Sequence, residues 1–104
     1  TMYWAVQGMG AELSTGAAPY AISQSMSKKL RMFVVSNEAK YTKRAKGQIQ
    51  FTCNDNSVAR NAIEESIETG MPVDCLLRSV GTDKSGDIVS EWIFKWNFLV
   101  MDGE

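Results

Sequence analysis

Residues 87–100 read DIVSEWIFKWNFLV. Ile88, Ser90, Trp92, Phe94, Trp96, Phe98 and Val100 share one parity, and Val89, Glu91, Ile93, Lys95, Asn97 and Leu99 share the other. A period of two predicts one long strand with an aromatic face. That face needs an apolar cover, because buried aromatic rings dominate the energetics of a core.

The opening segment is the long apolar object available. Residues 1–27, TMYWAVQGMGAELSTGAAPYAISQSMS, hold a single formal charge, Glu12. Met2, Ala5, Val6, Met9 and Leu13 recur at spacings of three and four, which predicts a helix over residues 2–15. Gly16 ends it in this reading, and Pro19, suited to a first turn, opens a second short helix through about Ser27. Gly8 and Gly10 are unusual in a helix interior, where each costs about 1 kcal/mol relative to alanine. They indicate close approach by another backbone or a ligand.

The middle of the chain alternates between strand and helix signals. RMFVVSNEAKYTK (31–43) reads as a strand with Phe33, Val35, Asn37, Ala39 and Tyr41 on one face and Met32, Val34, Ser36, Glu38 and Lys40 on the other. A basic turn, KRAKG, leads to a second strand, QIQFTCN, with Ile49, Phe51 and Cys53 inward. Then comes a helix capped by Asn56 or Ser57, lined by Ala59, Ile63, Ser66 and Ile67, and closed by Gly70 and Pro72. VDCLLRSVG is a third strand and TDKSGD a turn. Short links between sequential strands favour an antiparallel meander. The expected class is α+β, one domain over residues 1–104, a long helix on an antiparallel sheet.

Composition excludes several chemistries. A net charge of −1 offers no electrostatic case for nucleic acid. There is no histidine, so Ser-His-Asp and Cys-His catalysis are absent. Cys53 and Cys75 stand 22 residues apart without a CxxC, so no zinc site and no other metal is expected. One disulfide between them is an alternative to the plainer reading, two reduced core thiols in a cytoplasmic protein. Gln7, Glu12, Ser14, Thr15, Pro19 and Ser23 interrupt the opening segment, which therefore reads neither as a signal peptide nor as a membrane span.

Three stretches resemble the hotdog-fold thioesterases, in particular a PaaI-like branch, a domain of unknown function. TMYWAVQGMGAELSTG is similar to that family's central helix, G-x-x-H-G-G-x-x-x-x-L-A-D/E. FVVSNEAKYTKRAKGQIQFTC is similar to the next strand pair, and IVSEWIFKWNFLV to the terminal aromatic strand. The resemblance implies a curved antiparallel sheet around the helix, acyl-thioester hydrolysis without a cofactor, and a homodimer or homotetramer. It places Ala11-Glu12 on the A-D/E pair, so Glu12 is the expected carboxylate that activates water. The family histidine falls on Tyr3 and its glycines on Trp4 and Ala5, where a bulky ring replaces a small residue. The strand that precedes the helix in the family has no counterpart in this sequence.

Under this resemblance Tyr3, Trp4, Gly8 and Asn37 are the candidate substrate-binding residues, and Lys43, Arg44 and Lys46 the candidates for the phosphates of coenzyme A. Each has a plainer counterpart. Glu12 could face solvent or pair with Arg31 or Lys46, the basic turn could be an ordinary charged hairpin, and the aromatic stripe reads mostly as core, with an acyl tunnel lined by some of Trp92, Phe94 and Trp96 as the alternative. The alternative function is a non-catalytic hotdog-like module that binds a ligand or assembles. A cystatin-like or cone-shaped α+β barrel would share the same pattern of elements.

Overall fold

The alternation near the C-terminus produces the longest strand of the protein. The computed structural model describes residues 4–26 and 28–101. Its elements in chain order are helix α1 (Trp4–Ser25), strand β1 (Lys29–Tyr41), strand β2 (Gln50–Thr52), helix α2 (Asn56–Thr69), strand β3 (Val73–Thr82) and strand β4 (Ile88–Met101). Ser90, Trp92, Phe94, Trp96, Phe98 and Val100 are all buried on one face of β4, and the core gathers there with Leu77, Ala11, Ala59, Ala62 and Ile63.

The strands do not form a meander. Their order is β1-β4-β3-β2, antiparallel throughout. β1 has 13 residues and β4 has 14, whereas β2 has 3. Pairing the two long strands satisfies far more backbone groups than pairing β1 with β2 would. Residues 42–49 make the crossing, and both Thr42 and Lys43 donate their N–H to the Val89 carbonyl, at 3.0 and 3.4 Å.

The face assignment of β1 also changes. Its ladder with β4 runs Leu30–Val100, Met32–Phe98, Val34–Trp96, then shifts register so that Asn37 faces Phe94, Ala39 faces Trp92 and Tyr41 faces Ser90. Residues paired across strands share a face. Val35 is the extra residue of a β-bulge, and beyond it the odd positions occupy the helix-facing side. Phe33 and Val35 are exposed, and Leu30, Met32 and Val34 pack toward the core.

α1 is one helix through Pro19, not two. A proline inside a helix costs about 3 kcal/mol. Anchors on either side offset it. Thr15 accepts a hydrogen bond from Trp96 Nε1 at 3.0 Å, and Ile22 and Met26 pack against the core beyond the proline. In α2 the buried residues are Ala59, Ala62, Ile63 and Ser66, while Ile67 is exposed. Asp55, not Asn56 or Ser57, holds the cap position, and its carboxylate accepts the Arg78 N–H at 2.8 Å. Gly70 closes the helix at φ 68° with its N–H on the Ser66 carbonyl.

Candidate active site

The small residues of α1 are seats for aromatic rings. Gln7, Ala11, Thr15 and Pro19 form its buried stripe. A methyl group built on Gly8 would lie 3.3 Å from the Trp92 ring, and one on Gly16 would lie 3.2 Å from Trp96. A methyl on Gly10 would fall 2.6 Å from Phe51, and one on Gly81 2.9 Å from the opposite side of the same ring. The close approach expected at Gly8 and Gly10 is therefore made by side chains of the sheet.

The other side of α1 is also apolar. Val6, Met9, Leu13 and Tyr20 recur at helical spacing and are exposed, Leu13 at 71%. On this side a groove of about 840 Å³ runs between α1 and the edge strand β1. Its helix wall is Glu12, Leu13, Gly16, Ala17 and Tyr20. Its strand wall is Met32, Phe33 and Val34, and Trp96 forms its floor. Glu12 is the one charged residue of that lining. It is exposed, and its side chain makes no hydrogen bond or ion pair among the described residues, so neither Arg31 nor Lys46 is its partner.

The remaining sequence candidates are dispersed. Tyr3 lies outside the described residues, as does the side chain of Trp4. Asn37 is exposed on β1 opposite Phe94, just past the bulge and off the groove. Lys43 is held by two carboxylates, Asp83 Oδ2 at 2.9 Å and Asp87 Oδ2 at 2.8 Å. The hydrogen bonds to Asp87 and Asp83 raise the pKa of Lys43, and the Lys43 bond lowers that of Asp83. Arg44 and Lys46 are exposed without an ion pair among the described residues. The Val89 carbonyl that meets this turn lies seven positions along β4 from Trp96, about 23 Å. No residue of the basic turn lines the groove beside Glu12.

Leu13, Gly16, Tyr20 and Met32 were not among the sequence candidates, whereas Trp96 belonged to the aromatic stripe weighed as an acyl lining. The available signal was that α1 carries apolar residues on both sides, one more face than a core requires. Among the described residues no helix is long and apolar enough to cross a membrane.

No protein-family model and no curated protein matches the sequence. The fold is similar to the crystal structure of a protein of unknown function from Pseudomonas aeruginosa, named there a probable thioesterase. The TM-score is 0.78 at 23% identity, over 97% of this chain and 66% of that one. The chain therefore spans slightly less than two thirds of that protein. Helices packed on a four-stranded antiparallel sheet, with this likeness, define an α+β, hotdog-like fold.

Proposed function

We propose that the protein takes an acyl thioester of coenzyme A or of an acyl-carrier protein, with the acyl group in the α1–β1 groove and Glu12 activating water. The observation that carries this reading is the position of Glu12, the single charge on the lining of an apolar groove. Water attacks the thioester carbonyl carbon, and the Glu12 carboxylate accepts the proton as the C–O bond forms. The tetrahedral intermediate then collapses with loss of the C–S bond, and the thiolate takes up the proton. The probable-thioesterase neighbour supports the same chemistry by analogy of fold.

Arg44 and Lys46 have charge to offer to phosphates, whereas Lys43 would first have to leave Asp83 and Asp87. Among the described residues one edge of β1 has no neighbouring strand, and the apolar outer stripe of α1 is exposed, which supports a homodimer or homotetramer. Cys53 and Cys75 are free thiols, which supports a cytoplasmic location.

Thiol release from short, medium and aryl thioesters tests the reaction. Glu12→Gln is nearly isosteric, so the melting midpoint should hold while turnover falls by about 10²–10⁴-fold. Wild-type turnover that survives the substitution removes Glu12 from the chemistry. A second reading, a binding module without hydrolysis, is favoured by the exposed and unheld state of the Glu12 side chain. Acyl-coenzyme A binding with no turnover by either protein would select it.

A further inference from the structure

The sheet has a second face, on the side opposite the aromatic stripe of β4 and the helices packed on it. We infer that this outer face is self-complementary, and that a second copy of the chain packs on it face to face. The inference depends neither on the groove nor on the catalytic reading. An antiparallel sheet can leave one face to water, and such a face is then polar. Here the outer face carries large apolar side chains as well: Leu76 is 57% exposed and Phe33, near the edge, 50%.

The charges on this face carry the inference. Ile93 of β4 is paired with Glu38 on one side and with Arg78 on the other, so the three stand at one level of the sheet. Glu38 reaches this side because the bulge at Val35 exchanges the faces of β1 beyond it. Two strand spacings hold Glu38 and Arg78 about 10 Å apart. Neither side chain makes a hydrogen bond or ion pair among the described residues. With Lys40, Val80 and Glu91 they line a recess of about 340 Å³ around Ile93.

A copy turned by 180° about an axis parallel to β4 lays its β3 over β1, its β1 over β3, and Ile93 over Ile93. Glu38 then faces the partner's Arg78, and Arg78 faces the partner's Glu38. Facing sheets lie about 10 Å apart, a gap that an arginine and a glutamate extended toward each other can close. The next level brings the two Glu91 together, and each has Lys40 of its own chain paired beside it. On the other side Lys95 is already held by Asp74 at 3.7 Å. The area suffices: a side of 46 × 20 Å is about 900 Å², against the roughly 800 Å² that a standard interface buries per partner.

Sedimentation equilibrium at micromolar concentration tests this on Glu38→Arg, Arg78→Glu and an equal mixture of the two. Either reversal alone sets like charges over each other at both positions. Each should weaken association at least about tenfold and halve the mass of the assembled species. In the mixture every facing pair is again of opposite sign, so the wild-type mass should return. Ile93→Glu, which opposes two carboxylates at the centre, should dissociate in the same way if either reversal fails to fold. Melting midpoints near the wild-type value show that the variants are folded. A monomeric wild type, folded variants that keep the wild-type mass, or a mixture that stays dissociated overturns the inference. A wild type that assembles and ignores every variant does so too, and leaves assembly through the β1 edge and α1 standing.

Discussion

Phe51 is held between two glycines on different elements, Gly10 of α1 and Gly81 of β3, with Ser90 Oγ also beside Gly81. The arrangement decides the sign of a substitution that helix propensity alone would get wrong. Alanine in place of a helical glycine gains about 1 kcal/mol. Here the new methyl would stand 2.6 Å from two atoms of a ring that has Gly81 behind it, and overpacking of a full core costs roughly 1–3 kcal/mol. Gly10→Ala should therefore lower the urea midpoint, and Phe51→Leu in the same chain should recover part of the loss. Cys75 makes a second test at this scale. Burial first, and then the nearby Asp74, push its thiol up to about 11 from 9.0. At pH 8 the thiolate should be about a hundredfold scarcer than in the unfolded chain, so iodoacetamide should label Cys75 slowly until denaturant is added. The raised value also means that the thiol's contribution to stability is complete below the unfolded pKa. It is lost as pH rises toward 11.

Elements were legible to different degrees, for physical reasons. β4 was readable because from Ser90 to Val100 one face is almost wholly aromatic and alternates with a mixed face that carries Glu91, Lys95 and Asn97. The C-terminus of α2 was readable because Gly70 marks a left-handed residue, and the structure puts it at φ 68°. No heavy atom outside its neighbours lies within 4 Å of a methyl built there, so the cost of Gly70→Ala is conformational and should be about 1 kcal/mol in a melting experiment. The continuity of α1 through Pro19 was not readable, because the anchor that offsets the proline is Trp96, 81 residues from Thr15. The bulge in β1 was hidden because Val34 and Val35 are both apolar and either parity looks acceptable. Asp55 escaped as a cap because its carboxylate serves β3 and leaves the helix amides to others. Of the candidate site, Glu12 was visible as an isolated charge, but the groove beside it is made by a tertiary juxtaposition of α1, β1 and β4.

The molecule measures 46 × 22 × 20 Å, and its sheet outruns its helix. The 22 residues of α1 span about 33 Å, while the 14 of β4 extend about 46 Å. At the far end of β1, Asn37, Ala39 and Tyr41 face the helix side yet are exposed, and among the described residues the ring contact of Tyr41 is with the edge of Trp92, at 5.7 Å. This exposed surface, the open edge of β1 among the described residues and the apolar outer stripe of α1 lead to one expectation. Sedimentation at micromolar concentration should give twice or four times the 11.5 kDa chain mass, and a clean monomer would remove assembly from the proposal.

Val35 gives β1 a reserve of length. Because it stands outside the ladder, its removal would leave every other side chain of the strand on its present face. Loss of any neighbouring residue would carry part of the strand across to the wrong face, unless Val35 moved in to fill the vacant rung. The strand can therefore absorb one deletion without exchanging inside for outside, a tolerance that the unbroken alternation of β4 from Ser90 to Val100 does not share.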